Sequence, residues 1–286
     1  YTVTLTKTTN GSFTAETVTQ TGNSASATTS AAGSLTVRYG DTVKATATAA
    51  TGYTFSSWSG GYVSGSTNPV TGGTVTAAKT ITASFSDTTA PVPTISGGTT
   101  AKQTSQSFTL ACTDGVGVTG WYWGTTEPDS TGSNVTFTTI TSNTNWTGQT
   151  GAATSAATYY LACKDNAGNV GKTSVVVRSL IVHNMLLNIN GTETSYNTSH
   201  YTQASNPTYY IKTGTSLTQA NMCTAPTGGN TLKGYNEAAP GTSTATLKTS
   251  DLTISANKEI SCWYNRLTYT VTLTKTTNGS FTAETV

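Results

Sequence analysis

Residues 1–18 read YTVTLTKTTNGSFTAETV, and residues 269–286 repeat them without a substitution. Within the stretch Tyr1, Val3 and Leu5 alternate with Thr2, Thr4 and Thr6. That period of two puts apolar side chains on one face of a strand and hydroxyls on the other. Asn10-Gly11 follows, a pair favoured in tight hairpins because both residues tolerate positive φ. A domain that began and ended with the same strands would have two copies competing for one place in one sheet. A tandem array removes the conflict, since any stretch longer than one period shows its start again at its end. The expectation is therefore a 268-residue repeat, with 268–286 as the first strands of the next unit. Under it, the lack of an initiator Met or signal peptide carries no information about the parent chain.

Composition bounds the class. Charged residues are 9% of the chain, against about a quarter in ordinary globular proteins, and Thr is the dominant residue. The surface is mostly neutral and hydroxylated. The 14 Tyr, 6 Phe and 5 Trp supply aromatic mass for several small cores. A net charge of +2 without a basic cluster leaves no electrostatic footprint for nucleic acid or an anionic membrane. Branching at Cβ makes Thr and Val strand formers, and no window sustains a helical period. The reading is an all-β chain of three small tandem β-domains, at 1–86, 87–180 and 181–267.

In the first segment come LTVRYGDTVKATATAATGYTFSSWSGG and, after a Gly-rich turn, KTITASFS. Tyr53, Phe55 and Trp58 are expected to fill one side of a small sheet, with Ile81, Ala83 and Phe85 alternating inward from a last strand. The succession of a Tyr-led strand, YGDTVKATA, ATGYTFSSWSG, NPV and KTITASF resembles the divergent InlB-type B-repeat found in arrays on bacterial surface proteins.

At DTTAPVPTI the texture changes, with Asp87, Pro91 and Pro93 marking a linker. A strand carrying Cys112, the triplet WYW, the run YYLACKDNAGNVG with Cys163, and TSVVVRSL follow. This order, with D-x-x-A-P at its start and K-D-x-A-G-N in a late turn, resembles a bacterial immunoglobulin-like repeat. The resemblance implies a sandwich in which Trp121 or Trp123, two apart on one strand face, lies against a Cys112–Cys163 bridge. Leu161 stands where an antibody domain has its corner Tyr, so the likeness is to a sandwich and not to an antibody domain. Related surface repeats bind calcium at such linkers, which makes Asp87, Asp114 and Asp165 candidate ligands, the ion being suited to oxygen donors. Asp is equally at home in turns, where it bonds its own backbone.

In the third segment, LKGYNEAAPGT followed by NKEISCWY resembles a second B-repeat variant in which Tyr235 takes the place of Trp. Cys223 and Cys262 both fall here, so the four Cys divide as none, two and two. That division favours two bridges within domains, although four Cys allow three connectivities. Paired Cys point to an oxidising, extracellular setting.

Catalytic chemistry is hard to assemble. His183 and His200 lie in no nucleophile or metal motif. Glu127 and Asp129 are the closest carboxylate pair, but TTEPDSTG reads as a Pro-centred turn. No C-x-x-C spacing marks a zinc site. The sequons at Asn10, Asn134, Asn145, Asn190 and Asn197 arise readily in a Thr-rich chain, and no motif marks a Lys–Asn isopeptide bond. Trp263, Tyr264 and Leu267 run into Tyr269 without Gly or Pro, so a stiff repeat junction is expected there. The functional expectation is a non-enzymatic structural unit of an extracellular surface fibre or stalk, needing no cofactor beyond the candidate calcium. Its partners would be adjacent identical repeats and neighbouring chains meeting at uncharged strand edges, with no nucleic acid and no membrane contact. The competing expectation is an adhesin that binds sugar or protein on aromatics such as Tyr62 or Trp146.

Overall fold

In the computed structural model, residues 1–18, 24–29, 33–99, 101–187, 200–225, 229–241 and 247–266 are described, with the backbone alone for 24–29, 142 and 143. They are nearly all β, with one four-residue helix among them. Two compact units divide the chain. The first comprises Tyr1–Ser96, Phe108–Gly151 and Tyr159–Ser174, and the second Gly97–Ser107, Ala152–Thr158 and Val175–Val286.

The first unit begins with β1 (Thr2–Lys7), β2 (Gly11–Val18), β3 (Ser24–Thr29), β4 (Gly33–Thr36), β5 (Thr42–Ala49), β6 (Tyr53–Ser59), β7 (Val70–Thr71) and β8 (Lys79–Asp87). They form two four-stranded sheets ordered β4-β1-β8-β6 and β3-β2-β5-β7. The opening stretch turns at Asn10, whose φ of 83° is the left-handed value that Asn tolerates better than most residues. The turn sends β1 into one sheet and β2 into the other. Val3, Leu5, Phe13 and Ala15 thereby point into one core, with Val43, Trp58, Ile81, Ala83 and Phe85.

Tyr53 and Phe55 share a face of β6, and strict alternation would send Trp58 to the other face. A register break between Phe55 and Ser57 restores it. Trp58 is 2% exposed and meets Phe13 edge-on at 5.4 Å. Tyr53 and Phe55 are half-buried against the same cluster. Asn68 adds a side-chain rung: its Oδ1 accepts from Ala47 N at 2.8 Å and its Nδ2 donates to Ala47 O at 2.9 Å.

Next come β9 (Val92–Gly97), β10 (Gln106–Gly124), β11 (Thr138–Ala153), β12 (Thr158–Asp165) and β13 (Val170–Leu187), in the sheet order β11-β10-β12-β13 with β9 beside β10. Cys112 is joined to Cys163. Trp121 is the cross-strand partner of Cys163 and lies 5.2 Å from Trp146, while Trp123 stacks on Tyr159 at 5.4 Å and approaches Phe108 at 5.9 Å. Both Trp are half-buried.

The second unit adds β14 (Tyr201–Ser205), β15 (Thr208–Lys212), β16 (Ser216–Leu217), α1 (Gln219–Met222), β17 (Asn230–Asn236), β18 (Leu252–Thr253) and β19 (Lys258–Arg266). Cys223 is joined to Cys262, inside a core with Leu180, Val182, Ile211, Met222, Tyr235, Ile260 and Tyr264. Its central strands repeat an arrangement of the first unit. β13 runs parallel to β19, which is antiparallel to β17, just as β1 runs parallel to β8, which is antiparallel to β6. β17 breaks register between Leu232 and Gly234, one residue before Tyr235, as β6 does one residue before Trp58. Both rings send their polar atom to a loop carbonyl, Trp58 Nε1 to Thr67 O at 2.9 Å and Tyr235 Oη to Ser250 O at 3.1 Å.

Candidate metal centre

Asp87 closes β8, Asp114 lies within β10 and Asp165 ends β12, and the fold brings them together. One oxygen from each lies within 4.8 Å of the others. Local backbone bonds aim each carboxylate. Asp87 Oδ1 accepts from Thr89 N at 2.9 Å. Asp114 Oδ2 accepts from Val116 N at 2.9 Å and Gly117 N at 2.6 Å. Asp165 Oδ1 accepts from Gly168 N at 2.7 Å and Asn169 N at 2.9 Å. These are the turn-forming bonds that short acidic side chains favour, and each fixes one oxygen while turning the other inward.

Asn169 ties the site to the linker. Its Nδ2 donates to Asp165 Oδ2 at 2.7 Å and to the Asp87 carbonyl at 3.2 Å. Further along, the Pro91 carbonyl packs onto Gly171 so closely that an added Cβ would lie 1.8 Å from it. Only glycine admits the linker there.

The electrostatics are unbalanced. Asp87 is 8% and Asp165 2% exposed, and Asp87 Oδ2 and Asp114 Oδ1 are buried without a hydrogen-bond partner. Two carboxylates at this spacing repel by about 3 kcal/mol at the effective dielectric of a protein site. Burial, followed by the Asp165 and Asp114 charges, pushes the Asp87 carboxyl above its ordinary value. Converging anionic oxygens left without donors call for a proton or a cation. The donors are all oxygen, with no His or Cys, which fits a hard divalent ion such as calcium and not zinc.

The other sequence candidates have different surroundings. Glu127 pairs with Lys172 at 2.8 Å, which holds its carboxyl below the usual value. Asp129 accepts from Ser133 and Thr131 of its own turn, bonds that hold it well below the carboxylate range. His183 is buried between Glu259, at 2.6 Å, and Gln203. Tyr62 is half-buried, with its hydroxyl bonded to Val43 N and Gly73 O, and Trp146 is 6% exposed. Trp263 Nε1 donates to Asn236 Oδ1 at 2.7 Å. Tyr264 Oη donates to Asn184 Oδ1 at 3.2 Å, and burial pushes its hydroxyl up. Leu267 and Tyr269, the remainder of the expected junction, lie outside the described residues, as do residues 268–286 and the sequons at Asn190 and Asn197. Asn169, Gly171 and the Asn68 rung escaped the sequence reading. The signals for them were the last Asn of KDNAGN, the Gly two residues on, and NPV.

Comparison with known proteins places one part of the chain. Residues 16–89 match the divergent InlB B-repeat domain. Among solved structures the chain is similar, at 10% identity over 93% of its length and 100% of the other, to the Corynebacterium diphtheriae major pilin SpaA, described as pointing to a modular pilus assembly with stabilizing isopeptide bonds. The TM-score of 0.23 is too low for that likeness to bear on the fold. No curated protein matches the chain.

Proposed function

We propose that this chain is a non-enzymatic structural repeat unit of an extracellular surface fibre or stalk, built to transmit tension along an array of modules at 1–86, 87–180 and 181–267. The observation that carries the reading is the pairing of entering and leaving strands. β1 and β8 lie side by side and parallel, with Val3 opposite Lys79 and Lys7 opposite Ala83. β13 and β19 do the same, from Leu180 opposite Lys258 to Leu186 opposite Tyr264. Tension that pulls the first strand backward and the last strand forward shears every bond of such a ladder together. In an antiparallel hairpin the same pull opens the bonds one after another. Disulfides then limit how far the modules at 87–180 and 181–267 can extend, and calcium at Asp87, Asp114 and Asp165 would brace the linker against the sandwich that follows. The B-repeat match over residues 16–89 and the two buried disulfides favour the cell surface or extracellular space. Electron microscopy of native surface material labelled with an antibody to residues 87–180 tests the reading. Label at a regular axial spacing along a filament is expected, and label without periodicity would overturn it.

A further inference from the structure

The three carboxylates alone leave a bound calcium short of ligands. The ion takes about six to eight oxygens, and the cluster offers one from each of Asp87, Asp114 and Asp165. The opposite oxygens are engaged by the N–H groups of Thr89, Val116, Gly117, Gly168 and Asn169. Two carbonyls of the linker, Asp87 O and Thr89 O, already accept from Asn169 Nδ2. The remaining positions fall to oxygens that the carboxylates do not supply. The cluster is also more than a group of surface acids, because Asp87 is 8% exposed and its Oδ2 has no hydrogen-bond partner.

A cavity of about 320 Å³ adjoins the cluster, within the first unit. That volume stands at the lower end of small-molecule sites, about 300–1,000 Å³. Asp114 forms part of its wall, and so does Thr89, whose N–H holds Asp87. Thr113, Thr144 and Asn145 add hydroxyl and amide groups, while Ala90 and the exposed Val92 add apolar surface. Charge then selects the class of ligand. No Lys, Arg or His lines the cavity, and three negative carboxylates against one divalent ion leave the loaded site negative. An anionic ligand is repelled there and a neutral one is not. Vicinal hydroxyls of a sugar ring give the ion two neutral oxygens, other hydroxyls suit Thr113, Thr144 and Asn145, and the C–H face of the ring suits Ala90 and Val92.

We propose that the cavity beside Asp114 binds a neutral saccharide in a calcium-dependent way, two vicinal hydroxyls completing the coordination of the ion. The inference rests on the reading of Asp87, Asp114 and Asp165 as a calcium centre, and it adds adhesion to the load-bearing role. Calorimetric titration of the full chain with calcium alone tests the centre, and a glycan array probed with the same protein tests the saccharide. Retention on neutral glycans is expected in calcium and its loss in chelator. Gly115 lines the cavity, and a Cβ added there would meet nothing within 4 Å, so Gly115→Leu fills the space without replacing a carboxylate. It is expected to bind calcium as the parent does and to lose the glycans. Val92→Glu, at an exposed position, is expected to do the same by adding negative charge to the wall. Calcium binding without retention on any neutral glycan, retention on anionic glycans alone, or retention unchanged in chelator or in both variants would overturn the proposal and leave the metal centre standing. Absence of calcium binding in the first titration would overturn both.

Discussion

Leu5 of β1 lies directly opposite Ile81 of β8 in a parallel pair, with both side chains fully buried. The strand by which the chain enters the first sandwich is thus hydrogen-bonded to the strand by which it leaves. Leu180 and Lys258 hold the same relation in the second unit. The two units thus pair their entering and leaving strands in the same parallel ladder.

Calcium held by Asp87, Asp114 and Asp165 would be a stabilising ligand. Metal that binds the folded state alone adds about 2.7 kcal/mol at a hundredfold excess over its dissociation constant. Calorimetric titration of the chelator-treated protein is expected to show one site, and added calcium to raise the melting temperature of the first unit. Asp114→Asn should abolish both effects, whereas Asp129→Asn, in a turn outside the cluster, should leave the heat of binding unchanged.

The response to calcium depends on pH, with a defined sign. Because the Asp87 carboxyl is raised in the metal-free fold, its contribution to stability is fully present below the unfolded value and is lost as pH rises through the raised one. Calcium opposes that loss. The gap between melting temperatures in calcium and in chelator should widen as pH rises from about 4 to 7, and Asp87→Asn should flatten it. Glu237, held low by Lys248 and then Lys258, acts in the opposite sense. Its contribution is present above the ordinary Glu value and is lost as pH falls through the lowered one, with or without metal.

Trp58 and Tyr235 occupy matching places after matching register breaks, and differ in what their loss should cost. Trp58→Ala empties the first core and is expected to destabilise by about 3–5 kcal/mol. Tyr235→Phe keeps the ring and removes only the bond to Ser250 O, at about 1 kcal/mol. Chemical denaturation of each variant checks the order, and a loss for Tyr235→Phe as large as that for Trp58→Ala would contradict it.

The bridges bound extension. Cys112–Cys163 closes a separation of 51 residues and Cys223–Cys262 one of 39. At about 3.5 Å per extended residue, reduction should lengthen the fully unravelled chain by roughly 180 Å and 135 Å. Extension traces with and without reductant measure both increments.

Much of this was legible in the sequence because it is local. Ile81, Ala83 and Phe85 alternate and are buried as alternation requires. The three Asp could be named through the immunoglobulin-like resemblance that DTTAP and KDNAGN carry, whereas the habit of Asp to bond its own backbone spoke equally for plain turns. What period two could not supply was the break that returns Trp58 to the core, because a bulge has no fixed composition. Nor did any spacing announce that Asn169 would reach the Asp87 carbonyl or that Gly171 would seat Pro91. Those contacts depend on strands far apart in sequence, and only the folded register brings them together.

The central claim is that paired parallel strands resist tension by shear, and single-molecule pulling tests it with two attachment geometries on one protein. Handles at residues 1 and 87 load the β1–β8 ladder along its length. Handles at residues 1 and 37 open the antiparallel β1–β4 pair from its end, where Thr2 faces Thr36. The account predicts a markedly higher unfolding force for the first geometry. Equal forces in the two would contradict it.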